Sequence, residues 1–365
     1  MTDPVPDSRY RTTGVLVAGG ALLVGAAAGI VAQRLVRGRR PAATAQAAGL
    51  GTLRGEVLPV AGADGTVLHV EVDPAPPGLA DDGLTLLFTH GFALSSDSWH
   101  FQRRDLRGCA RLVFWDQRGH GRSEVGADEV SDLSVLAEDL HRVIAAACPT
   151  GEVVLVGHSM GAMVVLALAD RQPELFGTRV RGVALLAGTA GGLGAVPLGL
   201  PGPAARLVHR IAPRVAATMR SYPQVVTRGR RATAELAYLI ADRYAFGGPV
   251  PRTYSDFVTS QILATPIGVI ASLLPAFDAF DGRAGLPALH AVETLVVVGD
   301  RDLMTPPQHS ADIVAGVPGA EYELLPGAGH LLMVEQPEEV NELLRALIVR
   351  VRRNRRQARR RWGWW

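Results

Sequence analysis

The chain has 365 residues, 48% of them hydrophobic and 20% charged, which supplies apolar material for a large core. A formal net charge of +2 excludes a uniformly basic nucleic-acid-binding body. Its two cysteines, Cys109 and Cys148, fit neither a disulfide framework nor a zinc motif and read as buried thiols.

Residues 1–13 form a short N-terminal tail. From Gly14 to Ala32 the chain carries no charge for 19 residues, enough to cross a bilayer core as one helix. A cleaved signal peptide would have a shorter apolar core and a nearby small-residue cleavage site. Here the run is long, and Ala45-Gln46-Ala47 lies remote from it. Residues 14–32 therefore predict a transmembrane helix. Arg9 and Arg11 precede it, whereas Arg34, Arg37, Arg39 and Arg40 follow it, which puts the body on the cytoplasmic side of a cell membrane. Residues 33–52, basic and then rich in Ala, Gly, Thr and Gln, read as a flexible tether.

The first part of a folded core spans residues 53–187. Leu84 to Thr89 predicts a buried strand, followed by His90-Gly91-Phe92. After the next strand comes Asp116-Gln117-Arg118-Gly119-His120-Gly121-Arg122-Ser123. Glu152 to Val156 is another apolar run, and it enters Gly157-His158-Ser159-Met160-Gly161. A packed helix from Ala162 to Asp170 completes a strand–turn–helix unit, with Ser159 between two glycines at the corner. That geometry is a nucleophile elbow, and a helix starting at Met160 aims free backbone N–H groups at an incoming oxyanion. A serine hydroxyl needs a base, and the base an orienting acid. After serine elbows of this kind the acid and then the histidine follow downstream.

Residues 188–286 carry no such motif. They open with a flexible Gly/Ala/Leu/Pro run and continue with helical patterns at Ala204 to Met219, Ala232 to Tyr244 and Thr253 to Ala264. The core resumes over residues 287–353. A buried strand, Thr294 to Gly299, ends in Asp300-Arg301-Asp302, and a strand from Glu321 to Leu325 runs into Pro326-Gly327-Ala328-Gly329-His330. Carboxylates and imidazole thus follow the C-terminal ends of strands, where open α/β sheets place their ligand sites. A last helix begins at Pro337 and reaches about Arg353. Residues 354–365 form an Arg/Trp-rich tail; nine arginines fall between 345 and 361, and Trp362, Trp364 and Trp365 close the chain. Such a tail suits anionic headgroups, with tryptophans at the interface. No nucleic-acid partner is expected.

Taken together these motifs resemble the α/β-hydrolase family over roughly residues 53 to 350. The resemblance implies a mostly parallel, doubly wound sheet, with residues 188–286 as an inserted helical cap that shapes the substrate pocket. It implies Ser159 as nucleophile, His330 as base and Asp302, the second carboxylate of G-D-x-D, as the orienting acid, leaving Asp300 as a turn residue. The oxyanion would be held by the backbone N–H groups of Phe92 and Met160. His90, Asp116, Arg118, His120 and His158 read as structural residues at strand ends and turns. A serine at the elbow points to acyl chemistry, here cleavage of a carboxylic ester with no cofactor or metal. Acyl transfer, perhydrolysis or C–C bond hydrolysis by the same triad, and a non-catalytic scaffold, are the alternatives.

Overall fold

Short runs rich in valine and leucine become the central strands of one sheet. In the computed structural model, residues 49–78, 83–126, 132–196, 238 and 241–362 are described. The predicted span 14–32 and the predicted helix at 204–219 lie outside them, as does most of 232–244. In chain order the strands are β1 (Glu56–Val57), β2 (Val60–Ala61), β3 (Val67–Leu68), β4 (Val70–Asp73), β5 (Leu84–Thr89), β6 (Arg111–Trp115), β7 (Glu152–His158), β8 (Val180–Leu186), β9 (Glu293–Gly299) and β10 (Glu321–Leu325). Eight of them form a sheet in the order β1-β4-β6-β5-β7-β8-β9-β10, while β2 and β3 pair separately. The pairs from β6 to β10 are parallel; β1–β4 and β4–β6 are antiparallel.

Helices cover both faces: α1 (His100–Leu106), α2 (Leu133–Ala147), α3 (Met160–Arg171), α4 (Arg252–Ala264), α5 (Ile267–Ala279), α6 (Pro307–Gly316), α7 (Leu332–Glu335) and α8 (Pro337–Trp362). The period-2 alternation of a strand splits the core in two. In β7, Val153 and Leu155 join the cluster filled by Leu136, Leu140, Val164 and Leu168 of α2 and α3. Val154 and Val156 join the other, filled by Phe101 of α1 and by Leu344, Leu347 and Val351 of α8. Each such buried side chain contributes about 2 kcal/mol of hydrophobic stabilisation.

The described part of the insertion between β8 and β9 includes a π-helical turn, Ala241–Ala245, followed by α4 and α5. Its contacts hold it over the C-terminal ends of the strands. Ser95 N and Oγ both donate to Gln261 Oε1 of α4 at 2.9 Å. Phe277 of α5 meets Phe92 edge-on at 4.9 Å between ring centroids.

One boundary differs from the sequence expectation. The last helix does not stop near Arg353 but continues as far as Trp362, into the predicted tail 354–365. Arginine, glutamine and alanine are good helix formers, and no Gly or Pro interrupts them before Gly363. Among the described residues no single helix is long and apolar enough to cross a bilayer.

Candidate active site

Ser159 sits between β7 and α3 with φ 52° and ψ −116°, a conformation that costs a non-glycine residue about 1–3 kcal/mol. Crowding around the turn holds it there. A Cβ on Gly161 would lie 2.1 Å from Thr89 O, and one on Gly157 would lie 2.6 Å from Gly161 O. Strand β5, the elbow and α3 therefore meet backbone to backbone, and only glycine fits at those two corners. Ala162 N and Met163 N donate to Ser159 O, so α3 starts at the serine itself. The N–H of Met160 precedes that first bond and has no intrahelical acceptor.

His330 lies beyond β10 and Asp302 beyond β9, and the fold brings both to Ser159. His330 Nε2 is 2.8 Å from Ser159 Oγ, and His330 Nδ1 is 2.8 Å from Asp302 Oδ2. An ionised carboxylate only accepts, so Nδ1 carries the proton and Nε2 is left to accept from the serine hydroxyl. Asp302 and His330 are buried. Burial opposes the charge on Asp302, but His330 and the hydrogen bonds from Thr305 outweigh it and hold the carboxyl below its ordinary range. The backbone N–H groups of Met304 and Thr305 donate to Asp302 Oδ1 at 2.8 and 2.9 Å, and Thr305 Oγ1 lies 2.8 Å from Oδ2. Thr305 Oγ1 is also 2.9 Å from Ala187 O, tying the acid loop to the end of β8. Asp300 is exposed and accepts from Gly327 N at 2.7 Å, so its carboxylate belongs to the neighbouring turn.

Beneath the site, His158 Nε2 donates to the carbonyl of His330 at 2.9 Å, and the two rings lie 5.0 Å apart. Burial pushes the His158 imidazole down to about 3, so it is neutral at ordinary pH. His90 Nδ1 is 2.8 Å from Gly91 O while its Nε2 accepts from Gln117 N at 2.9 Å. The loop carrying Phe92 is thereby fixed to the Asp116 turn. Asp116 accepts from the backbone N–H groups of Ser96 and Arg122, and Arg118 makes a bidentate pair with Asp139 of α2. His120 is buried and tilted against His90. Among the described residues no group of three His, Cys, Asp or Glu side chains could hold a metal ion. Sequence reasoning missed Thr305 and Gln261; the Asp302-x-x-Thr305 spacing at a strand end was the signal for the first.

A polar recess lined by Arg181, His290, Glu293 and Asn354 lies at the opposite, N-terminal ends of β8 and β9. The chemistry-bearing residues are all at the other edge.

A parallel sheet flanked by helices, with a strained serine at a strand–helix elbow and a histidine after the last strand, defines the architecture of α/β-hydrolases. Residues 86–343 match the Alpha/beta hydrolase family, and the chain belongs to it. It is 26% identical over 279 residues to the monoacylglycerol lipase of Mycolicibacterium smegmatis, covering 74% of this chain and 89% of that one. It is 25% identical over 296 residues to Protein PHYLLO, chloroplastic, of Arabidopsis thaliana, spanning 74% of this chain but only 16% of that protein's length. A thermophilic esterase from Thermogutta terrifontis, solved with malate bound, has a similar structure with a TM-score of 0.57. That likeness is 26% identical in sequence and covers 82% of this chain and 100% of that one.

Proposed function

We propose that this α/β-hydrolase cleaves a carboxylic ester through an acyl-enzyme on Ser159. The observation that carries the reading is the unbroken relay from Ser159 Oγ to His330 to Asp302, with both links at 2.8 Å. As Ser159 Oγ attacks the ester carbonyl, His330 Nε2 takes its proton, and Asp302 stabilises the imidazolium. The backbone N–H groups of Met160 and Phe92 receive the oxyanion, each worth about 3 kcal/mol in the transition state. His330 then protonates the departing alkoxide. Water, deprotonated by the same imidazole, attacks the acyl-enzyme, and collapse of the second tetrahedral intermediate frees the acid and restores Ser159. The names esterase and monoacylglycerol lipase among the relatives favour an ester as substrate.

The cap, residues 188–286, shields the acyl-enzyme and shapes a pocket for lipophilic acyl chains. Residues 14–32 anchor the chain in the cell membrane with the body on the cytoplasmic side, and the Arg/Trp-rich end adds contact with anionic headgroups. Deleting residues 1–40 should release active protein from membranes; a truncated body that still sediments with lipid would transfer the anchoring role to the C-terminal end. The catalytic reading is tested by labelling with a fluorophosphonate probe and by turnover on an ester panel. Wild type should label and turn over, and Ser159→Ala should do neither while remaining folded by circular dichroism. Turnover retained in Ser159→Ala would remove the nucleophile assignment.

A further inference from the structure

Three backbone polar groups around His330 are pinned, two of them by residues outside its own loop. Gly329 N donates to Glu335 Oε2 at 2.7 Å, His330 O accepts from His158, and Leu331 N donates to Ala245 O at 2.7 Å. Glu335, at the end of α7, does more than cap this loop. Its Oε1 accepts from Gly247 N and Gly248 N at 3.1 Å, and its Oε2 lies 3.1 Å from the same Gly247 N. One half-buried carboxylate thus gathers three backbone N–H groups, two from the insertion and one from the residue before His330.

The two backbones are in direct contact at this point. A Cβ on Gly247 would lie 2.3 Å from Gly327 O, and one on Gly329 would lie 2.3 Å from Gly247 N. Phe246, next to this contact, is buried in the same core cluster as Ala328 and Leu331. Arg301 Nη1, 3.4 Å from Gly247 O, bridges from the loop that carries Asp302. Segment 245–248 continues from the π-helical turn Ala241–Ala245 of the insertion. The insertion is therefore latched to the histidine loop, not merely laid on the sheet.

We propose that Glu335 is a positioning residue that couples the seating of the cap to the alignment of His330 with Ser159. The proposal rests on the acyl-enzyme reading of the site. When the latch is closed, the carboxylate fixes Gly329 and segment 247–248 in one frame, and the imidazole is held within reach of Ser159 Oγ. When it is open, both segments lose their shared acceptor and the imidazole is no longer restrained from its N-terminal side.

The test uses the full chain, with Glu335→Gln and Gly247→Ala as independent variants. The carboxamide keeps the length of the side chain but offers one acceptor oxygen, so at least one converging N–H is left facing an NH2 group. Gly247→Ala leaves the carboxylate intact and forces the backbones apart. Each variant should lower kcat about tenfold, with KM within about twofold of wild type, because a displaced base affects the chemical step more than binding. In hydrogen exchange, segments 245–250 and 327–331 should lose protection together while β7 and β8 keep theirs. A kcat unchanged in both variants, or protection lost in only one of the two segments, would overturn the coupling. Absence of labelling and turnover in wild type would refute the acyl-enzyme reading instead, and the paired exchange result would still decide whether the latch exists.

Discussion

The two sides of the site are built by different forces. On the nucleophile side, Ser159 is placed by exclusion: glycines at 157 and 161 let β5, β7 and α3 approach until no other backbone path remains. On the side of the proposed base and acid, His330 and Asp302 are placed by attraction: Thr305, Met304 and His158 donate hydrogen bonds to the loops that follow β9 and β10, and Glu335 accepts one from Gly329 N. Steric placement tolerates no side chain but is indifferent to charge. Polar placement tolerates small changes of shape but depends on every donor and protonation state.

That contrast can be broken most sharply at the acid. Asp302→Asn should lower kcat about 10⁴-fold with the fold intact, since the amide cannot hold the required tautomer of His330; comparing circular dichroism with turnover checks it. Gly161→Ala should act on stability, costing about 3 kcal/mol as the new Cβ meets Thr89 O, read as a shift of the urea midpoint. Thr305→Val removes one hydroxyl from both Asp302 and Ala187 O while nearly keeping the volume; turnover should fall about tenfold, and the unpaired carbonyl should cost about 1 kcal/mol of stability.

Acid should separate the two sides further. Burial lowers the folded values of His158 and His120 to about 3, so the unfolded chain binds protons first. The stability that these neutral histidines represent is complete above the ordinary value of 6.5 and is lost as pH falls from there toward 3. The slope should approach about 1 kcal/mol per pH unit for each residue, measured as urea midpoints between pH 7 and 5. The Asp302 carboxyl is held low instead, so its contribution survives that range and disappears only below the ordinary aspartate value. The smallest effect belongs to Asp300→Asn, whose carboxylate accepts from Gly327 N in the neighbouring turn; kcat should stay within about twofold of wild type.

This division also explains what could be read in advance. The elbow was legible because steric placement leaves a local signature, a serine framed by glycines between an apolar strand and an apolar helix. Strands β5, β7, β9 and β10 were legible because they are continuous or alternating apolar runs. The pairs of residues in β1, β2 and β3 are too short to show any period. Thr305 acts within three residues of Asp302, but Glu335 acts through Gly247 and Gly248 almost ninety positions away. No local pattern reports a contact of that range. Nor did the sequence announce that α8 continues past Arg353, because charged helix and charged tail share one composition.

The separation of 171 positions between Ser159 and His330 has a consequence for biosynthesis. The elbow is held by chain no later than β8, where Leu186 O accepts from Ser159 N at 2.9 Å, whereas the imidazole belongs to the last tenth of the chain. Residues of α8 that fill the core under β8 and β9 come later still. A nascent chain, or one clipped within α8, therefore carries a serine without its base or without the packing that seats it.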